Sequence, residues 1–294
     1  MKAFSRVALI GFGEVGQILA DDLQKAGIKH ISAYDILFAK PDSIPSRAAA
    51  KRDVRVARDA ESAVRDCEVA LSAVTAASDV AAANSVASHL PRGAFYVDLN
   101  SASPGMKMKA AAIIDDAGGR YVEAAVMTPF PPKRIASPML LGGPYAEEFL
   151  ARAAPLGFQA EIFSREIGKA SATKMCRSVM IKGIEALLME SMLTARRHGV
   201  ETTVLNSLSD LLPVGDWEKL ARYMISRSLE HGVRRAEEMR EVANTVAEAG
   251  VQPLMSAAAA QRQDWASLHR TALANDALGA LLDDVLKSID KDRS

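Results

Sequence analysis

Two groups of residues have the types and spacing to do chemistry. The first is Gly11-Phe12-Gly13-Glu14-Val15-Gly16, which directly follows the apolar run 7–10. Nineteen positions beyond Gly16 stands an acidic residue, Asp35. Glycines at this spacing suit a pyrophosphate. Gly11 permits a tight turn out of a strand, Gly13 lets the main chain approach the phosphates, and Gly16 lets a helix pack closely on a sheet. A helix starting at Glu14 and Val15 aims unpaired amides and its dipole at the same phosphates. Asp35 is placed to accept from ribose hydroxyls and to repel a 2′-phosphate. NAD is therefore expected over NADP, although Lys40 or Arg47 lies close enough in sequence to reach a phosphate. The second group is Ser171, Lys174 and Ser178, at i−3, i and i+4 on one helical face. A lysine near a helix N-terminus and inside a cleft feels positive potential and desolvation, both of which push its pKa towards the range useful for acid–base work. On composition alone the plainer reading prevails, since a lysine on a helix is usually a solvated charge.

The elements that must position these groups follow from periodicity. Residues 31–34 read as the second strand, and residues 54–57, 69–74, 94–98, 121–126, 139–142 and 159–162 as further strands. They alternate with helical stretches at 15–26, 78–90 and 104–116. This alternation predicts an α/β Rossmann-type domain with a doubly wound, mostly parallel sheet over residues 1–166. Residues 167–294 predict an all-helical domain that opens with a long helix over 171–198 and breaks near Gly199, Pro213, Gly232 and Pro253. The chain has 294 residues, 49% of them apolar, enough for two cores. Its 36 basic residues balance 36 acidic ones without a basic stripe, so nucleic acid is not expected as a partner. No apolar run is long enough to span a membrane, and the N-terminus reads as a strand, not a signal peptide. Cys67 and Cys176 are far apart and the five histidines lack ligand spacing. Metal-free chemistry in a reducing cytoplasm is the expectation.

Three segments in order, Gly11 to Gly16, Asp98-Leu99-Asn100-Ser101-Ala102-Ser103-Pro104 and Gly168 to Ser178, resemble the β-hydroxyacid dehydrogenases, the superfamily that contains 6-phosphogluconate dehydrogenase. The resemblance covers essentially the whole chain. It implies that Lys174 exchanges the proton of a substrate hydroxyl while hydride moves to or from a nicotinamide. It further implies that Asn100 and Ser101 contact a small-molecule substrate and that Val74 and Thr75 lie against the nicotinamide ribose. Residues 100–103 read equally well as a cap for the helix that begins at Pro104. The resemblance also implies a homodimer paired through the helical domain. The long helix supports that, because it spans roughly 40 Å at 1.5 Å per residue and carries apolar residues on more than one side.

Several positions depart from the family pattern. Ser178 replaces the Asn expected four residues past the lysine, and a hydroxyl replaces only one end of a carboxamide. The loop whose amides hold a substrate carboxylate corresponds to residues 123–129; Pro129, Pro131 and Pro132 have no N–H to offer, and Met127 and Phe130 predict a more apolar wall. A Lys-Asp pair corresponds to Glu237-Glu238. His231, Arg234, Arg235 and Glu238 are spaced to form one face, which reads as a replacement anion site or as a salt-bridged helix surface. Arg177 is a second candidate cation. The stretch Cys176-Arg177-Ser178, with Glu237-Glu238-Met239 further on, resembles a poorly characterised branch of the family with a divergent C-terminal domain. The expected activity is NAD(P)-dependent hydride transfer on a small or medium hydroxy compound. The alternatives are an imine reductase-like enzyme, which retention of Lys174 disfavours, and a catalytically silent dinucleotide-binding redox sensor.

Overall fold

In the computed structural model the described residues are 2–208, 213 and 215–291. They form two compact units, Met1–Met175 and Cys176–Ser294. In the first unit the chain runs β1 (Arg6–Ile10), α1 (Glu14–Lys25), β2 (His30–Tyr34), α2 (Ile44–Ala49), β3 (Arg55–Val56), α3 (Ala60–Val64), β4 (Val69–Ser72), α4 (Asp79–Ala87), β5 (Phe95–Asp98), α5 (Pro104–Asp116), β6 (Arg120–Val126), β7 (Met139–Gly142), α6 (Ala146–Ala153) and β8 (Ala160–Ser164). The eight strands form one sheet in the order β3-β2-β1-β4-β5-β6-β7-β8. Every pair is parallel except β6 with β7. The strand order reverses between β1 and β4, so the loops after these two strands diverge and leave a crevice, the usual place for a ligand in such sheets.

Alternation along the strands fills two cores. Val7 and Leu9 join Phe12, Leu19, Phe95 and Phe149 on one face. Ala8 and Ile10 join Ala83, Val86, Tyr96, Ala110 and Ile114 on the other. A sheet buried on both faces needs apolar residues at successive positions, and the strands supply them. Alanines in α4 and α5 let these helices sit close to the sheet. The turn after β1 depends on its glycines. Gly11 has φ +93°, and a Cβ there would lie 2.3 Å from the Ala73 carbonyl oxygen; a Cβ on Gly16 would lie 2.2 Å from the Gly11 oxygen.

The second unit is helical. It takes the greater part of α7 (Lys169–His198), then α8 (Glu201–Leu208), α9 (Trp217–Glu248), α10 (Leu254–Ser267) and α11 (Leu278–Lys291). Leu188, Met192, Trp217, Ile225, Leu229, Leu281 and Val285 are among its core residues. The break expected near Gly232 is present as a kink in α9, where His231 leaves helical geometry at φ −121° and ψ 18°. Gly232 serves packing here, since a Cβ would lie 2.4 Å from the Gln263 carbonyl oxygen of α10. No helix of the described residues is long and apolar enough to cross a membrane.

Candidate functional site

The loops that leave β1, β2, β4 and β5 lie at the carboxyl ends of neighbouring parallel strands, so the sheet itself gathers the candidate residues. The first helical hydrogen bond of α1 runs from the Gln17 N–H to the Gly13 carbonyl. That leaves the N–H groups of Glu14, Val15 and Gly16 without an acceptor in the helix. Among the described residues, and apart from its own chain neighbours, nothing lies within 4 Å of where a Gly13 Cβ would stand, so the turn has open space beside it. Phe12 is fully buried, its ring 5.7 Å from that of Phe38, and only its main chain is at hand for a ligand. Asp35 accepts from the Phe12 N–H at 2.7 Å and from the Leu37 N–H at 2.9 Å. It orients the glycine turn and keeps a second lone pair on each oxygen for ribose hydroxyls. These groups fit the pyrophosphate and ribose of a dinucleotide.

The lysine side of the site is built on a buried carboxylate. Glu123, fully buried on β6, accepts from the Gly168 N–H at 2.7 Å and the Ser171 N–H at 2.6 Å. A negative charge placed on the first-turn amides is a favourable end for α7. Ser171 is consequently 2% exposed, with its hydroxyl donating to the Gly168 carbonyl. It packs inward and does not share an open polar face with Lys174. The half-buried Lys174 Nζ donates to Ser101 Oγ at 2.6 Å, so α7 and the loop after β5 bring two candidate residues into direct contact.

Asn100 is placed differently from an outward-facing substrate donor. It is 3% exposed, and its carbonyl accepts from the Val74 N–H at 2.7 Å. Its amide donates to Asp79 Oδ1 at 2.7 Å and to Ser72 Oγ at 3.1 Å. Asn100 thus ties the loop carrying Val74 and Thr75 to the loop carrying Ser101. Ser103 caps α5 by accepting from the Met106 N–H, so the capping role of this segment is present as well.

Beneath these loops is a polar cluster that periodicity did not reveal. Lys107, 1% exposed, donates to Asp98 Oδ1 at 2.5 Å, and the Tyr121 hydroxyl donates to Asp98 Oδ2 at 2.6 Å. The Asn100 main-chain N–H donates to the same Asp98 Oδ1 at 2.9 Å. Burial alone would raise the Asp98 pKa, but the Lys107 ammonium and the converging donors outweigh it and hold it low. Burial pushes Asp79 up to about 7, opposed by Lys107 and reinforced by the adjacent Asp98. A lysine among the apolar residues of α5 and a carboxylate ending an apolar strand were the available signals. The same holds for Glu123, an acid inside Tyr-Val-Glu-Ala-Ala.

The Met127-to-Pro132 wall also needs correction. Phe130 is buried in the core with Ile135 and Phe149 and does not line an open surface. In the helical unit, Ser178 accepts from Lys182 Nζ at 3.4 Å, and Lys182 pairs with Glu238 at 2.6 Å. Arg235 is paired with the buried Glu185, whose pKa burial raises against the pull of Arg235 and Lys182. His231 meets Arg227 at 2.7 Å; burial, then the Arg227 charge, lowers its pKa. Arg234 is exposed, 4.0 Å from Glu238. Of the four side chains expected on one face, Arg234 and Glu238 meet each other, whereas Arg235 turns to Glu185 and His231 to Arg227. Arg177 is exposed on α7. Among the described residues no cluster of His, Cys, Asp and Glu has the arrangement to hold a metal.

Residues 6–144 match the NAD binding domain of 6-phosphogluconate dehydrogenase, and residues 195–266 match a domain of unknown function, DUF1932. The chain is similar to a solved conserved hypothetical protein from Sinorhizobium meliloti 1021, at 35% identity and TM-score 0.74, with 97% of each chain covered. It is also similar to the conserved protein MTH1747 of unknown function, whose structure shows similarity with 3-hydroxyacid dehydrogenases, at 32% identity and TM-score 0.69 over 90% of this chain and 98% of that one. Mycobacterium tuberculosis 3-hydroxyisobutyrate dehydrogenase shares the fold, at 18% identity and TM-score 0.72 over 97% and 99% of the two chains. With its nicotinamide-dinucleotide-binding domain, its sheet order and its helical second unit, the chain belongs to the β-hydroxyacid dehydrogenase and 6-phosphogluconate dehydrogenase-like superfamily, in a branch with a divergent C-terminal domain.

Proposed function

We propose that the protein is an NAD-dependent oxidoreductase that interconverts a hydroxy compound, such as a small hydroxy acid, with its carbonyl form, and that Lys174 is its acid/base. The observation that carries this reading is the 2.6 Å bond between Lys174 Nζ and Ser101 Oγ, on the side of the sheet where the glycine turn opens. The α1 amides and Asp35 would hold NAD, which would supply a hydride acceptor. In the oxidative direction the neutral Lys174 amine takes the hydroxyl proton as the carbinol C–H leaves as hydride, so the substrate loses both hydrogens and becomes a carbonyl. In the reductive direction the ammonium returns the proton. Because Ser101 accepts from Lys174, its own hydroxyl hydrogen is available to the substrate oxygen, and the two side chains together orient that oxygen.

Ser178, Arg177 and Arg234 are the further substrate contacts of this reading. A short serine at 178 leaves more room than an asparagine, which suits a bulkier substrate. Screening a hydroxy-acid panel with NAD and NADP, read at the absorbance of the reduced nicotinamide, tests the activity. On a substrate so found, Lys174→Met is expected to keep cofactor affinity and lose on the order of 10²–10⁴ in rate. A variant that retains most of its turnover would show that the proton moves elsewhere.

A further inference from the structure

The loop that carries Ser101 is held by two buried carboxylates, and these two lie against each other. Asp98 grips Asn100 through its main-chain N–H at 2.9 Å, and Asp79 grips the same residue through its side-chain amide at 2.7 Å. Both acids are fully buried. Asp98 has donors on each oxygen, from Lys107 and from Tyr121. Asp79 Oδ2 has no donor from any described residue, and the Asp98 carboxyl lies within side-chain hydrogen-bond reach of Asp79. The ionisable groups around Asp79 are Asp98 and Tyr96 on β5, Lys107 on α5 and Tyr121 on β6. Burial and nearby carboxylates hold both tyrosines neutral, so one cation faces two acids. Two ionised carboxylates in contact, in a site closed to water, repel strongly, whereas one proton between them leaves a neutral set with Lys107. The first turn of α4 favours a negative charge at Asp79, but that effect is smaller than the cost of a second buried anion.

We propose that Asp79 and Asp98 share one proton, that the shared proton closes a clamp on Asn100, and that Asp79 is thereby a positioning residue for Ser101 against Lys174. Loss of the proton separates the carboxylates, opens the clamp and draws Ser101 away from the lysine. The raised pKa of Asp79 places that step near neutral pH. The positioning role rests on the reading of Lys174 given above; the shared proton does not.

The test compares the full-length wild type with Asp79→Asn. The amide is isosteric, donates towards Asp98 and accepts from Asn100, so it keeps the clamp closed at every pH. The first measurement is carboxyl NMR with aspartate labelled at Cγ. One carboxyl is expected to titrate near neutrality in the wild type and to be missing from the variant. If every aspartate of the wild type titrates below pH 5, the shared proton is overturned, and this outcome needs no variant. The second measurement is the rate of Lys174 labelling by trinitrobenzenesulfonate, identified by its loss in Lys174→Met. The ratio of wild type to Asp79→Asn cancels the ionisation of the lysine itself. That ratio should be close to one at pH 6 and depart from it by about fivefold to tenfold at pH 8.5, the size of roughly one pKa unit of coupling. A ratio that stays flat overturns the positioning role. Neither measurement uses turnover, so an inactive protein that shows both effects would refute the oxidoreductase reading and leave the shared proton and its coupling to Lys174 standing.

Discussion

Asp35 combines two tasks that pull on the same carboxylate. It fixes the glycine turn through the Phe12 and Leu37 N–H groups, and in the proposed reading it sets negative charge against a 2′-phosphate. The proposed preference for NAD follows from the second task. Titration of NADH and NADPH by fluorescence is expected to show NADH bound more tightly. Asp35→Ser should narrow the difference by roughly tenfold, the size of a unit-charge repulsion in a partly screened site, and should weaken both cofactors because the turn loses its acceptor. Tighter NADPH binding by the wild type would remove the basis for the assignment. Cys67 carries no comparable chemistry, since burial pushes its thiol up to about 12 and keeps it protonated.

At the scale of elements, two acidic side chains act as fasteners. Glu123 joins β6 to the start of α7, and Gly142 on the neighbouring strand makes room, since a Cβ there would lie 2.5 Å from Glu123 Oε2. Glu123→Gln keeps one oxygen acceptor, turns an amide nitrogen towards the other N–H donor and removes the charge. Urea unfolding should then report a loss of about 2–4 kcal/mol, as for paired hydrogen bonds to a charged group; an unchanged midpoint would show that α7 is anchored by packing alone. Glu68 holds the Ser5 amide and hydroxyl, the Arg6 amide and, at 2.6 Å, Arg152 of α6. Burial works against its charge, but the Ser5 donors and Arg152 prevail and lower its pKa from 4.5 to about 2. A folded pKa below the unfolded one means stability that is present above pH 4.5 and is lost as pH falls towards 2. Melting temperatures of Glu68→Gln should therefore lie below wild type at pH 7 and converge with it in acid. Parallel curves would assign the acid loss to other carboxylates.

For the whole molecule, assembly is the open question the helical unit poses. Gly183, Ala186, Leu187, Met255, Ala259 and Trp265 line a groove of about 500 Å³ between α7 and α10. Leu187 is 58% exposed and Met255 64%. Exposed apolar side chains in such density call for cover, and a homodimer through this unit is the proposed source. Light scattering should give about twice the 31.4 kDa of one chain, resistant to dilution. Leu187→Glu should shift the mass to a single chain while NADH binding persists. A wild-type mass of one chain would refute the dimer.

Much of this protein was determined by short-range pattern. Glycine spacing, the acid after the second strand and alternating strand and helix periods specify the nucleotide-binding sheet, because each depends on residues near one another in sequence. The start of α5 at Pro104 and the bounds of β7 at Met139 and Gly142 follow from the same rules. Charge pairing across the fold is another matter. Whether Lys107 is solvated or buried depends on Asp98 and Tyr121, which reach it only when β5, β6 and α5 pack together. Asn100 was legible as a loop residue, but its inward orientation required Ser72, Val74 and Asp79 to converge from another strand and its loop. Periodicity likewise predicted one face for His231, Arg234, Arg235 and Glu238; Arg234 does meet Glu238, but Arg235 is drawn to the buried Glu185 of α7 and His231 to Arg227. Local sequence sets backbone conformation; the partner of a buried charge is decided by which elements the tertiary structure brings within hydrogen-bond reach.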